Sequence, residues 1–420
     1  MNYLTKIAAI CIILALNGCS WGDSANSVEK PVKKSWQSST TISVVNNDSV
    51  RFVSSLPEST PNRELLVESW DSYRRRFIQR DGRVIDYEAS DRSTSEGQAY
   101  AMLRAVLIDD SATFALTLNW GENNLRRLED GKPVDNLWAW KWGRKSDGSW
   151  GSIDNNFASD GDIDAITALI LASRRWNRPE YLELAKTKLQ DLWKYSTVVG
   201  QDKRYLLPGP KAAFVKDSSS IILNPSYFAP YAFRLFAQVD SERDWLSLVD
   251  SSYEVLEDSR HISAVNLPSD WVVLDAKTGK YRPLPNDSLL SSAYSFDAYR
   301  VWWRIALDAS WFNSTRARNY LESSIGHPLK LWSEKSSIPA RINLEGEALV
   351  NYEATSQYAM LYAASRLIQP SLAEELLEKK LLPRYQQEVW DDNEAYYTQN
   401  LAWLGLLSPS AISPKLLQSN

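Results

Sequence analysis

Three short acidic stretches hold the residue types that could do chemistry in this chain. The first is Ser95-Glu96-Gly97-Gln98-Ala99-Tyr100. Ser95 to Gln98 fits a capping box, S-x-x-Q, opening a helix. On the plainest reading Glu96 is an acid in a first turn, favoured by the helix dipole. That does not explain Gly97, which costs about 1 kcal/mol against Ala in a helix and would let a ligand approach Glu96 closely. If Glu96 is a general acid, its pKa must rise towards neutrality. The helix N-terminus pulls the other way, so burial or a second carboxylate has to win.

The second stretch is Asp160-Gly161-Asp162-Ile163-Asp164. Its alternation resembles a calcium loop, but the EF-hand pattern needs a Gly and a Glu where the chain has Ala165 and Leu171. Asp162 reads as the cap of a helix over 162–176. That leaves Asp160, on the glycine-containing turn before it, as the functional candidate. The third stretch holds Asp297 and Arg300 at i, i+3 on an expected helix, where an ion pair is ordinary and modest. The functional alternative has Arg300 keeping Asp297 ionised and oriented as a base.

The elements that must position these acids are helical. A period of 3.6 places helices over 61–80, 95–108, 110–127, 162–176, 179–195, 226–238, 241–257, 289–308, 310–324, 353–368, 370–381 and 394–407. Thr60-Pro61 would start the first, as cap and first helical position. Many helices pair across short turns, and longer loops separate the pairs. Six inner and six outer helices in an (α/α)6 barrel would give that rhythm; an irregular all-α domain is the alternative. The long loops carry Gly and Trp, so a functional face would be built there.

Composition narrows the chemistry. In 420 residues, 47 Lys+Arg stand against 52 Asp+Glu, a net charge of −5, which argues against a nucleic-acid partner. Two His and two Cys exclude zinc-finger frameworks, and a His-based triad has no support. No His, Cys and carboxylate set has ligand spacing, so no metal or other cofactor is expected. The 18 Trp and 20 Tyr suit surfaces that are both apolar and wet, such as a groove holding a sugar ring.

Residues 1–18 read as a signal peptide, with Lys6 before an apolar run too short to span a bilayer. Leu16-Asn17-Gly18-Cys19 resembles a lipobox, which would leave Cys19 lipidated and the protein anchored in a bacterial envelope. Secretion without lipid is the alternative. Residues 19–60 are Ser-rich, as in a flexible tether. A catalytic domain is expected over 61–410 and a C-terminal tail over 411–420.

The three acidic segments, in this order, resemble glycoside hydrolase family 8. Ala158-Ser159-Asp160-Gly161-Asp162 matches the family form A-[ST]-D-[AG]-D, and the Glu96 segment resembles its general-acid motif. Asn224-Pro225-Ser226-Tyr227-Phe228 resembles its N-P-S-Y-F loop, and Asp297-Ala298-Tyr299-Arg300 its D-A-x-R. Phe296 departs from the Tyr usual before that Asp. The resemblance implies an (α/α)6 barrel and an inverting, endo-acting hydrolase of β-1,4-linked polysaccharide, typically a cellulose-type glucan. Xylan and chitosan are the alternatives within the family. Glu96 would be general acid and Asp297 general base. Asp160, also catalytic, would lie between them, hydrogen-bonding the distorted sugar and raising the pKa of Glu96; Tyr227 would line the cleaving subsite, and Arg300 would contact substrate. Trp138, Trp140 and Trp150, with Trp142 beside them, are candidate sugar platforms. By analogy, a monomer tethered by lipid could trim glucan beside polysaccharide-synthesis machinery. A catalytically weak glycan-binding lipoprotein and a lyase are the competing classes.

Overall fold

A computed structural model of the chain describes residues 54–216 and 219–418. The expected signal segment, Cys19 and the tether up to residue 53 lie outside the described residues. Among the described residues are thirteen helices longer than one turn: α1 Arg63–Phe77, α2 Ser95–Ile108, α3 Ser111–Asn124, α4 Ser159–Trp176, α5 Pro179–Tyr195, α6 Pro230–Val239, α7 Trp245–Ser259, α8 Tyr299–Trp311, α9 Thr315–Ser324, α10 Gly326–Lys335, α11 Thr355–Ile368, α12 Pro370–Leu376 and α13 Tyr396–Leu406.

Burial sorts them into two layers. Every residue of α2 is buried, and so is α4 from Ser159 to Ser173. Helices buried all round belong inside. In α5 burial is confined to a stripe of Tyr181, Ala185, Lys188, Leu189 and Leu192, the amphipathic pattern of an outer helix. Helices α2, α4, α6, α8, α11 and α13 pack side by side in that order, and α13 closes back on α2. Each takes one outer partner: α3 on α2, α5 on α4, α7 on α6, α9 on α8, α12 on α11 and α1 on α13. This is the expected (α/α)6 barrel.

Several boundaries differ from expectation, each for a local reason. α1 begins at Arg63, and its N-cap position, Asn62, is left-handed with no side-chain cap bond, so Thr60-Pro61 lies in the preceding turn. The domain also reaches further upstream. Ser54, Leu56 and Thr60 are buried, and Ser54 bonds the Ile108 carbonyl, so residues 54–60 are anchored on the barrel at these points. α6 starts at Pro230, behind a 3₁₀ turn Pro225–Tyr227 capped by Asn224. α8 starts ten residues later than its period implied, because residues 289–298 run through bends and a turn pinned at Tyr294. The main chains of Tyr294 and Ile342 exchange two hydrogen bonds of 3.0 Å there. α10 was not expected, because Gly326-His327-Pro328 reads as a helix break; Pro328 falls in the first turn, where it is tolerated. Residues 411–418 are not a free tail: Ile412, Leu416 and Leu417 are buried, and Arg174 bonds the Leu416 carbonyl.

The long loops carry small sheets that feed the acids into place. β1 Ser93–Thr94 pairs with β2 Lys141–Arg144, which pairs with β3 Trp150–Asp154, and β1 runs straight into α2. β4 Ser220–Leu223 and β5 Val272–Asp275 are antiparallel, with Leu223 opposite Val272. Asn224 and Trp271 therefore flank the same end of that pair.

Candidate active site

Helix starts converge on one buried point. The Thr94 hydroxyl, not Ser95, caps α2 by accepting the Gly97 N–H at 3.0 Å. Glu96 thus sits in the first turn of α2. α4 begins at Ser159 with Ala158 in the cap position, so Asp160 and Asp162 both lie in its first turn. Asp162 is therefore no helix cap: it reaches back to accept the Trp138 N–H at 3.0 Å. A Cβ on Gly161 would lie 2.6 Å from the Ser95 hydroxyl and 3.0 Å from the Glu96 nitrogen. Only glycine lets the two helix starts approach this closely, and that approach brings Asp160 beside Glu96. Asp297 lies in the turn before α8 rather than on the helix, and Arg300 is the second residue of α8.

Arg300 binds all three acids. Its Nη1 donates to Glu96 Oε2 at 2.5 Å and to Asp160 Oδ2 at 2.8 Å. Its Nη2 donates to Asp297 Oδ1 at 2.6 Å and to the Ser226 hydroxyl at 3.0 Å. The expected Asp297–Arg300 pair is present, and Arg300 is shared: its planar fork sets two carboxylates at one nitrogen and a third at the other. Exposure grades along the fork: the side chain of Arg300 is 1% exposed, Asp160 3%, Glu96 11% and Asp297 21%.

Three carboxylates around one guanidinium leave surplus negative charge, which favours keeping a proton. Burial pushes Glu96 up to about 7; Arg300 opposes the shift, while Asp160 and then Asp297 add to it. That combination overcomes the helix dipole. Burial also raises Asp297, against the pull of Arg300 and with the push of Asp160. Arg300 stays charged: burial works against it, but the carboxyl groups of Glu96 and Asp297 beside it outweigh that. The result is one carboxyl that holds a proton near neutrality and a more open carboxylate at the other end of the fork. General acid–base chemistry across a bond needs such a pair.

Tyr227 is 3% exposed, with its ring 5.3 Å from the Arg300 guanidinium carbon, and the charges of Asp160 and Asp297 hold its hydroxyl well above the usual phenol range after burial has raised it. The tryptophans divide. Trp138 is fully buried, with its indole N–H on Glu122 at 2.9 Å and the Lys188 amine 4.7 Å from its ring. It has no face to offer a sugar, so the expected platform there is a core residue. Trp140 is 4% exposed and bonds Asp154 at 2.6 Å; it borders a cleft of about 900 Å³ that also touches Lys141, Asn156 and Tyr195. Trp150 is 49% exposed and stacks on Trp142 at 5.3 Å, on the sheet that launches α2. Of the four, Trp150 is the most exposed, with Trp142 stacked on it and the Arg83 guanidinium 4.7 Å from its ring centre.

Four residues of the site were not singled out from sequence. The Tyr396 hydroxyl donates to Glu96 Oε1 at 3.1 Å. A Cβ on Gly97 would meet the Tyr396 ring at 3.1 Å, so the room at Gly97 is taken by this tyrosine rather than by a ligand. The Tyr397 hydroxyl donates to the Phe296 carbonyl at 2.7 Å, and Phe296 itself packs its ring against Tyr299. Ser226 lay inside the quoted N-P-S-Y-F loop, and its contact with Arg300 was the signal that loop carried. Asp270, buried at the head of β5, accepts the Ala298 N–H at 2.8 Å, and nothing in Ser269-Asp270-Trp271 marked it.

Among relatives, an endoglucanase of Xanthomonas axonopodis pv. citri is 38% identical over 244 residues, 57% of this chain and 60% of that protein. An endoglucanase of Escherichia coli K12 is 30% identical over 275 residues, 64% of this chain and 69% of that one. The match thus takes in less than two thirds of the Xanthomonas protein's length. Among solved structures, endo-1,4-D-glucanase from Vibrio fischeri superposes with a TM-score of 0.67 at 25% identity, covering 80% of this chain and 93% of that one. A family 8 endoglucanase from Klebsiella pneumoniae gives 0.62 at 28%, covering 80% and 98%. Residues 51–410 match the sequence profile of glycosyl hydrolases family 8, a span that takes in every helix from α1 to α13. The chain belongs to that family.

Proposed function

We propose that this chain is an inverting, endo-acting hydrolase of β-1,4-linked glucan. The observation that carries the reading is the Arg300 fork, with protonated Glu96 on one nitrogen and the more open Asp297 on the other. The relatives named as endoglucanases support the glucan. Glu96 gives its proton to the leaving glycosidic oxygen, while Asp297 takes a proton from a water that attacks the anomeric carbon from the opposite face. The C–O bond to the leaving sugar breaks as the bond to water forms, and the configuration inverts. Asp160 keeps Glu96 protonated through its charge, and Tyr227 lies where it can meet the sugar being cleaved.

Incubating the purified domain with carboxymethylcellulose, lichenan, xylan and chitosan, and sizing the products, tests the substrate. Short soluble products from the glucans are expected, with α anomers first by NMR. Cleavage of xylan or chitosan alone would move the substrate, and β anomers first would overturn inversion. For location, we read residues 1–18 as a signal peptide and Cys19 as lipidated, which would tether the domain to the envelope, where it could trim newly made glucan. Cys19→Ser should then release the protein from membranes.

A further inference from the structure

We propose that Asp270 is a positioning residue for the general base: it fixes the turn that carries Asp297, without touching substrate. This depends on Asp297 being the base. Asp270 is 6% exposed. Its Oδ1 accepts two main-chain N–H groups, Ser295 at 3.1 Å and Ala298 at 2.8 Å, while Oδ2 accepts the Ser295 hydroxyl. Those bonds bracket Asp297 on both sides, so one rigid carboxylate sets the direction in which the residue between them leaves the main chain.

The support behind Asp270 is stiff. Its own N–H bonds the Ala293 carbonyl at 2.8 Å, and Val272 to Asp275 follow as β5, paired with β4. Around the turn, Tyr294 is tied to Ile342 and the Phe296 carbonyl to Tyr397, but neither contact reaches the N–H groups that Asp270 takes. The two acids also sense each other. Burial raises Asp270 to about 7, with the Asp297 charge the next contribution. Burial raises the Asp297 carboxyl and Arg300 lowers it, and the side chains of Asn224 and Trp271 draw it down further by hydrogen bonding. These side chains and Arg300 hold the carboxylate end of Asp297, while the turn held by Asp270 fixes where the residue leaves the main chain.

Displacing a reacting group by about 1 Å can cost on the order of 10²-fold in rate. Asp270→Ala should therefore lower kcat by about 10²-fold with KM and oligosaccharide affinity unchanged, because no groove residue is lost. Asp270→Asn keeps an oxygen for both N–H groups and an amide for Ser295, so it should restore kcat to within about threefold of wild type. Ser295→Ala removes only the Oδ2 contact and should lose a few-fold in kcat at constant KM; it tests the same point if Asp270→Ala does not fold. Wild-type kcat in Asp270→Ala, or in Ser295→Ala where Asp270→Ala is insoluble, overturns the inference. So does a rise in KM that accounts for the whole loss. Asp297→Asn is assayed alongside. An inactive Asp297→Asn beside a fully active Asp270→Ala removes the inference alone; an active Asp297→Asn removes the base assignment and the inference with it.

Discussion

Arg300 and Arg304 lie one turn apart on α8, facing Asp160 and Asp164, one turn apart on α4, and the two crossings behave in opposite ways. At the lower crossing Arg304 meets Asp164 through two parallel bonds of 2.8 Å, both side chains fully buried, with the Tyr231 hydroxyl as a third partner. Charge is balanced one to one. At the upper crossing a single guanidinium serves Glu96, Asp160 and Asp297, and burial, helped by the charges of Asp160 and Asp297, raises Glu96 against the pull of Arg300. The same pair of side chains on the same two helices thus locks the barrel in one layer and gathers three carboxylates around one guanidinium in the next. What separates them is how many further carboxylates the loops and helix starts deliver.

The largest expected effect separates function from stability at the upper crossing. Glu96→Gln should lower kcat by about 10³-fold. Its folded-state pKa lies above the ordinary carboxylate value, so Glu96 contributes stability fully at pH below about 4, and loses it as pH rises through about 7. The variant should therefore be at least as stable as wild type in urea at pH 8. At the lower crossing Arg304→Met should do the reverse. It strands a buried carboxylate and costs about 3–5 kcal/mol, while the protein that stays folded turns over within a few-fold of wild type. Arg304→Met with Asp164→Leu should recover most of that stability. Normal stability with lost turnover in Arg304→Met would erase the distinction between the layers.

A smaller effect sharpens it. Because Asp160 raises Glu96, Asp160→Asn should move the alkaline limb of kcat/KM to lower pH by about one unit. An unmoved limb would mean that burial alone sets the acid. Smallest is Tyr396→Phe. Its hydrogen bond draws Glu96 down, so losing it should move the same limb up by a few tenths, with a stability cost of about 1 kcal/mol.

The barrel was legible because segments of helical period pair across short turns and the pairs are set apart by long loops, as with α4 and α5 joined at Asn177-Arg178. Glu96, Asp160, Asp297 and Arg300 were legible because their spacings repeat a family pattern. The sequence could not reveal that Arg300 is shared, since that depends on Gly161 letting α2 and α4 meet and on the turn that carries Asp297 before α8. Trp138 misled for a related reason: four tryptophans close in sequence look alike, and only the fold decides that one packs over Gly121 while another faces solvent. Asp270 and Tyr396 act from a strand head and the last helix, where an acid or a tyrosine is unremarkable by type.

Glu96 itself can be watched directly. With glutamate carbon-13 labelled at Cδ, its carboxyl resonance is assigned by its loss in Glu96→Gln and followed through a pH titration. A midpoint near pH 7 in wild type, falling in Asp160→Asn, is the expected result. A midpoint in the ordinary carboxylate range, about pH 4, would contradict a proton held there by crowded negative charge.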